Sequence, residues 1–431
     1  MKLLILGETN LDTVFKSSLK SFTSVFSYRS AIFESQLAAI TPKKHIVKIL
    51  KVNENIDFDA DFTAVLINFK TGAAGIAYEV SDKFRKRGKI VILGGIHPSA
   101  LPEEAKQHAD AVLIGVAEKL WPMVVEDLEK GKLQPFYESK DYSDYPILPS
   151  TADFVSSGFK LVSPIEATRG CPNRCDFCQF SNTPGGSKFC ARPIEDVINE
   201  IKSIPQKILY FKDLSMTIKP AYTKEIFRNM KGLEKKFICH GNIDVLAHDE
   251  ELIRLSQGAG CIEWIAGFES FSQRVLDNVH KKGNKVEDYP RVVKTMHKYN
   301  MTIDGTFVFG FDEDTVDVFE STLANIDELG LDAAIFAVLT PYPGTPLFRK
   351  LEDEDRILTH DWSKYNRKNV VFEPKNMTKK ELEEGYRWIT KQFNSPPFIA
   401  FRVIRSLRLG VYPCLATFAS NLGSIMASVN K

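Results

Sequence analysis

Eleven short apolar runs, spaced by helical stretches, constrain this 431-residue chain more than any other feature. Five fall in the first 132 residues: LLIL, HIVKIL, TAVLIN, KIVILGG and DAVLIG. Each is rich in β-branched residues and bounded by Gly, Asp or Asn, and AAGIAYEVSDKFRKRG between the third and fourth has a helical period ending in Gly. Six more follow from residue 161: SPIEAT, KILYF, FICHGNI, CIEWIAG, TIDGTFVFG and AAIFAVL, separated by helical segments such as IEDVINEIKSI and TVDVFESTLANIDELG. A helix between two strands returns the chain in the same direction, so this rhythm predicts parallel sheets covered by helices.

The expected fold is therefore α/β. Residues 1–132 read as a Rossmann-like domain, and residues 161–350 as a partial (β/α)6 barrel built like most of a TIM barrel, with right-handed crossovers. Between them residues 133–160, rich in Tyr, Ser, Asp and Pro, read as a linker. Residues 351–431 form a helical, irregular extension, and the first connection, Thr9 to Lys44, shows no clear pattern. Near the C-terminus Arg402, Arg405 and Arg408 recur every third residue, and Gly410 to Asn430 carries no charge. Two readings follow: a helix covering the barrel, or an interfacial segment making a peripheral membrane contact.

Composition excludes little. The 56 basic and 55 acidic residues leave a formal charge of +1, so no field for polyanions is present and no nucleic-acid partner is expected. The opening MKLLILGETN has too short an apolar run for a signal peptide, which makes a cytoplasmic location the expectation. Thiols crowded together in a reducing compartment more often bind metal than pair as disulfides.

Three of the seven cysteines are crowded in that way. Cys171, Cys175 and Cys178 stand at C-x3-C-x2-C directly after the first barrel strand, in a loop opened by Gly170 and Pro172. Soft thiolates select zinc or iron–sulfur clusters. A structural zinc site needs four ligands, normally as two C-x2-C pairs, and only Cys190 is near enough in sequence to be a fourth. Three ligands on a four-iron cluster leave one iron open, and the loop sits at the strand end where barrel enzymes place their chemistry.

CPNRCDFC at the head of a six-unit partial barrel resembles the radical S-adenosylmethionine (SAM) superfamily. The resemblance implies that Cys171, Cys175 and Cys178 ligate a [4Fe–4S] cluster whose fourth iron is chelated by SAM. One electron then cleaves SAM to methionine and a 5′-deoxyadenosyl radical that abstracts hydrogen from a substrate. Later segments match in order: FKDLSM with Asp213 and Ser215, HGNIDV with Asn242 and Asp244, GFES with Glu269 and Ser270, and FVFGFDED with Gly310. The resemblance makes these residues SAM contacts; as strand-end polar groups they could equally cap the next helix.

The front domain, with GGIHPSALPEEA and HADAVLIGVAEKLWPMVVEDLEKGKL, resembles that of cobalamin-binding-domain radical SAM proteins. That implies cobalamin across the strand-end loops, with Gly94 and Gly95 letting backbone approach the corrin, or forming a tight turn with no cofactor. The loop after the first strand, GETNLDTVFKSS, lacks the Asp-x-His-x-x-Gly of many cobalamin domains. Base-off cobalamin or a domain that lost its cofactor both remain open, and His97 is the one histidine on the expected rim, as cobalt ligand or as turn residue. The leading expectation is a cobalamin-dependent methyltransferase acting on an unactivated carbon: one SAM methylates cob(I)alamin, and a second generates the radical. A cobalamin-independent cyclase, coupling enzyme or rearrangement enzyme is the alternative, and a non-catalytic iron–sulfur redox sensor the alternative from another class. Candidate substrate-side groups are His240, Glu263 and Tyr342. The substrate is expected to be a hydrophobic small molecule or lipid, and the electron donor a protein such as flavodoxin or ferredoxin.

Overall fold

The computed structural model describes residues 1–7, 32–50, 55–139 and 161–429. The segment from Glu8 onward, which lacks the Asp-x-His-x-x-Gly pattern, and the expected linker from residue 140 lie outside the described residues. The front unit is a six-stranded sheet of β1 (Lys2–Leu6), β2 (Ile46–Ile49), β3 (Ala64–Asn68), β4 (Ile90–Gly94), β5 (Ala111–Ile114) and β6 (Phe136–Glu138), in the order β2-β1-β3-β4-β5-β6. Every pairing is parallel. Leu3 to Leu6 and Val65 to Ile67 are buried on both faces, as a parallel sheet between helices requires. Those helices include α1 (Ile32–Ile40), α2 (Ala74–Arg85) and α3 (Ala117–Lys130). The strand order reverses between β1 and β3, which opens a crevice at their C-terminal ends.

β6 corrects the expected boundary at residue 132, since the front sheet extends into the stretch read as linker. Its three residues FYE are too short and too polar to signal a strand. Tyr137 alone is buried, and its hydroxyl donates to Asp127 at 2.7 Å and accepts from the Gln134 N–H at 3.0 Å.

The second sheet holds β7 (Val162–Ile165), β10 (Ile208–Phe211), β11 (Lys236–Gly241), β12 (Cys261–Glu269), β13 (Thr302–Phe309) and β14 (Ala333–Val338), all parallel and in sequential order. Its terminal strands β7 and β14 are not paired, so the barrel is open. The two-residue β8 (Thr168–Arg169) and β9 (Cys190–Ala191) make a small antiparallel clasp around the cysteine loop. Outside the sheet, α4 (Ile194–Ser203), α5 (Pro220–Met230), α6 (Glu250–Ala259), α7 (Tyr289–Lys298) and α8 (Val318–Leu329) bury their apolar stripes. Phe227, Phe237, Trp264, Phe268, Phe307 and Phe309 are all fully buried there, so many of the chain's 30 phenylalanines are core and say nothing about the substrate.

Three helices close the chain: α9 (Lys379–Phe393), α10 (Pro396–Ser406) and α11 (Val411–Val429). α11 lies against the concave face of the barrel, where Ala416 packs with Tyr210, Ile238, Ile262 and Ile265. Polar ties hold it: Asn421 donates to the Asp332 carbonyl at 3.0 Å, and Ser420 to Glu263 at 3.1 Å. The covering-helix reading is therefore what α11 does. The arginines do not line a free face. Arg402 is buried, donating to Asn421 at 2.7 and 3.0 Å and to the Phe393 carbonyl at 2.6 Å, and Arg405 donates to the Gly330 and Leu331 carbonyls.

Between barrel and α9, the extension is less helical than expected. An isolated bridge pairs Ile357 with Phe372, and the Trp362 indole N–H reaches the front unit, donating to Glu104 at 2.9 Å. Replacing Arg402 with Ala strips Asn421 and the Phe393 carbonyl of their donor at a buried site. We expect a loss of about 2–3 kcal/mol, read as a lower urea midpoint, with Arg402→Lys intermediate.

Candidate active site

The C-terminal ends of both sheets face one cavity of about 460 Å³. Asn68, Phe69 and Lys70 after β3, Gly95 and Ile96 after β4, and Gly115 to Glu118 after β5 form the front wall. Glu166, Thr168 to Gly170, Pro184 to Gly186, Lys212 and Leu214 form the barrel wall. Gly95 has φ +109°, and a Cβ there would lie 2.5 Å from both the Asn68 side chain and the Phe69 carbonyl. Only glycine lets these two rim loops close on each other. Gly94 is less constrained, with ordinary contact to Leu113.

The cysteine loop borders this cavity and is built by backbone bonds. Gly170 has φ +86° and runs so close to Lys188 that a Cβ would fall 1.9 Å from its carbonyl. The Cys171 N–H donates to the Gly186 carbonyl at 2.9 Å, and Asn182 donates to the carbonyls of Cys175 at 3.0 Å and Cys178 at 2.8 Å. Phe177 packs edge-on against Phe311. Burial raises the pKa of Cys171 and pushes Cys175 up to about 11. Such thiols stay protonated until a metal displaces the proton. Beside them stands partly buried Lys281, whose ammonium pairs with Glu269 at 2.8 Å. Burial opposes its charge, yet Glu269 and Cys175 hold its pKa above the usual lysine value.

The residues picked from sequence divide into three groups. Asp213 and Ser215 turn inward. Asp213 is buried and accepts from the Ala167 N–H at 3.2 Å and the Thr168 hydroxyl at 2.6 Å, with a third bond from the Thr168 N–H. Burial pushes its pKa up to about 7 against those donors. It braces the residues that lead into the cysteine loop, while Ser215 bonds Thr217 at 2.9 Å. Their neighbours Lys212 and Leu214 are what the cavity sees.

Asn242, Asp244, Glu269, Ser270 and Gly310 do gather at the C-terminal strand ends, as expected. Glu269 has φ +65°, and a Cβ on Gly267 would meet its carboxylate at 2.3 Å. Asp244 is exposed, and its N–H donates to the Gly283 carbonyl at 3.1 Å. The Ser270 hydroxyl accepts from the Ser272 N–H, and Gly310, with φ +104°, packs where a Cβ would meet Leu382 at 2.7 Å.

The third group departs from expectation. His97 is fully buried, with Nδ1 3.3 Å from the Thr71 hydroxyl and Nε2 3.1 Å from Glu104, its ring among Phe69, Tyr78 and Trp362. Both nitrogens are engaged away from the rim. Glu263 lies near the N-terminal end of β12, bonded by Ser420 and Thr302, at the end of the barrel opposite the cysteines. Tyr342 packs with Phe348, Tyr365 and Val371. His240 keeps a place in the barrel interior, its Nε2 2.7 Å from the Tyr210 hydroxyl.

The sequence pattern singles out none of Arg169, Glu166 and Gln36. Arg169 bonds Glu166 with Nε at 2.9 Å and Gln36 with Nη2 at 2.9 Å, and also pairs with Glu118. This network joins α1 and α3 of the front unit to the residue two before Cys171. The only available signal was an arginine opening the motif.

The radical SAM superfamily profile matches residues 165–326. Bacteriochlorophyllide d C-12(1)-methyltransferase of Chlorobaculum tepidum is 30% identical over 75% of this chain and 73% of its own length. The C-8(2)-methyltransferase of the same organism is 30% identical over 82% of this chain and 84% of its own. The chain belongs to the radical SAM superfamily. It is an enzyme, and both of these relatives are methyltransferases. Among solved structures, TsrM of Kitasatospora setae, with cobalamin and a [4Fe–4S] cluster bound, superposes with a TM-score of 0.64 at 15% identity over 82% of this chain and 78% of that one. OxsB, with aqua-cobalamin and SAM bound, gives 0.66 at 14% identity over 94% and 71%. These likenesses place the two-sheet fold.

The thiols of this radical SAM enzyme fit the cluster its family carries. Cys171, Cys175 and Cys178 stand on one loop, near enough that each thiolate would feel the charge of another, and three soft thiolates are the donor set an iron–sulfur cluster takes. A four-iron cluster takes each thiolate on its own iron. His240 makes a separate expectation. Burial, with the nearby charge of Lys212 in the same direction, holds its pKa down at about 4. The unfolded chain therefore binds the extra proton between pH 6.5 and 4, and stability falls as pH drops through that window, by up to about 3 kcal/mol. Urea titrations at pH 7 and pH 5 should show this slope, and His240→Gln, whose amide can still bond the Tyr210 hydroxyl, should flatten it.

Proposed function

We propose that this enzyme is a cobalamin-dependent radical SAM methyltransferase that adds a methyl group to an unactivated carbon of a hydrophobic, tetrapyrrole-like small molecule. The observation that carries the reading is the shared cavity: the front-sheet rim and the segments flanking the three cysteines, Gly170 and Thr183 to Gly186, open onto the same space. The tetrapyrrole class rests on the two relatives named for bacteriochlorophyllide d. When bound, the cluster supplies the electron that cleaves SAM, and the corrin carries the methyl group.

The chain's own residues then have distinct tasks. Cys171, Cys175 and Cys178 hold the cluster, and Lys281 balances the negative charge of the assembled thiolates. Asn242, Asp244, Glu269, Ser270 and Gly310 frame SAM from the strand ends, with Asp213 and Ser215 bracing the loop that carries Lys212 and Leu214. Gly94 and Gly95 keep the front rim low enough for a corrin face. His97 is engaged by Thr71 and Glu104, so a cobalamin held at this rim would take no ligand from it. His240 and Tyr210 shape the substrate side. Electrons come from a small donor protein of the flavodoxin or ferredoxin kind. The substrate class also gives the C-terminal segment a reason to touch a membrane surface. No described helix is long and apolar enough to cross one.

The deciding experiment uses oxygen-free protein with its cluster reconstituted, loaded with hydroxocobalamin, desalted, and turned over with methyl-labelled SAM and candidate tetrapyrroles. Stoichiometric corrin retention, 5′-deoxyadenosine and a labelled product are expected, and Cys175→Ala should abolish the last two. Deoxyadenosine formation with no corrin retained would favour cobalamin-independent radical chemistry, such as cyclisation. Wild-type deoxyadenosine formation by Cys175→Ala would sink the ligand assignment.

A further inference from the structure

The outward faces of α10 and α11 are unusually apolar. Of fifteen large hydrophobic side chains that are more than a third exposed among the described residues, seven fall within residues 398–418. They are Phe398, Phe401 and Ile404 on α10, Leu407 in the turn, and Val411, Leu415 and Phe418 on α11, each between 44% and 72% exposed. The opposite faces are used: Arg402 and Ser406 are buried against Phe393 and α11, and Ala416, Thr417 and Asn421 against the barrel. The stripe therefore belongs to no internal core.

Charge points to the occupant. From Gly385 to Lys431 the sequence contains no acidic residue and six basic ones. Arg402 and Arg405 are spent inside, with exposed Asp327 and buried Asp332 near them. Arg408 remains exposed, and Lys207 and Lys236 flank the Tyr412 ring at 5.8 and 5.4 Å from its centroid. An apolar stripe edged by cations and an amphipathic ring matches a helix pair lying in the headgroup layer. A second copy of this chain would bring like charges together with no carboxylate on this segment to answer them.

We infer that α10 and α11 seat the enzyme on an anionic lipid surface through Phe398, Phe401, Ile404, Leu407, Val411 and Leu415. This deepens the membrane contact offered above, with a different residue set from the arginine row that the sequence suggested. Flotation needs no turnover, so failure here leaves the methyltransferase reading intact, and a failed methyl transfer leaves this one intact.

The test is flotation of the full chain, cluster reconstituted, on vesicles of phosphatidylcholine alone or mixed equally with phosphatidylglycerol. Recovery on the anionic vesicles should exceed that on neutral ones by about tenfold and fall in about 0.5 M NaCl. The double variant Phe401→Asp with Ile404→Asp should stay at the bottom, with unchanged melting temperature and cluster absorbance. Phe401→Gln with Ile404→Gln, a milder change, should lie between. The proposal is overturned if wild-type protein ignores anionic vesicles, or if both double variants float as well as wild type. It is equally overturned if the protein is a dimer that the Asp variant splits while no vesicle binds, which would make a second copy the occupant.

Discussion

Arg169 is the point on which the two halves of this molecule depend. Its guanidinium spans Glu166 beside it and Glu118 and Gln36 of the front unit, so the residue leading into the cysteine loop is fixed by the other domain. Glu118 is buried, and a buried carboxylate without its cation would cost several kcal/mol. Arginine suits the place because its planar fork meets several acceptors at once, which a lysine ammonium cannot do with the same geometry. The cluster loop and the opposite rim are thereby held in one register.

Strained backbone and close approach occur at the cavity wall and beside the cysteines, as they do at some other points of the chain. Glu269 adopts a left-handed backbone at the end of β12, and Gly267 leaves room for its carboxylate and for Lys281. Gly95 and Gly170 each bring backbone within a distance no side chain would permit. Such positions persist when the surrounding structure over-determines them, and they recur where a ligand must be approached closely. Asp213 adds stiffness of another kind, a buried carboxylate spanning the Ala167–Thr168 turn.

Much of this was legible in the sequence because parallel α/β architecture writes itself as local pattern. All eleven apolar runs became strands, and the order within the barrel followed the chain. The cysteine spacing announced the loop. What stayed hidden depended on contacts between distant residues. β6 was too short to have a period, and its existence rests on β5 beside it. His97 looked like a rim group because its loop is at the rim, but its ring turns into a pocket made partly by Trp362, 265 residues later. Glu263 was read from its place in a strand-like run, and which end of a nine-residue strand faces the chemistry is fixed by the cysteines. The arginine triplet had helical spacing, and a spacing does not reveal which side is covered.

The contact between Trp362 and Glu104 bears on how this chain can be divided. Glu104 also holds His97 and Tyr78, so a residue from the C-terminal extension completes the polar core of the N-terminal unit. The linear layout suggests two modules joined by a tether, but in three dimensions the C-terminal extension is part of both. A front unit grafted from a relative would have to bring along the surface that receives this tryptophan. Modularity in such a chain is a property of its strand pattern, and inheritance of the two halves is bound together by one indole.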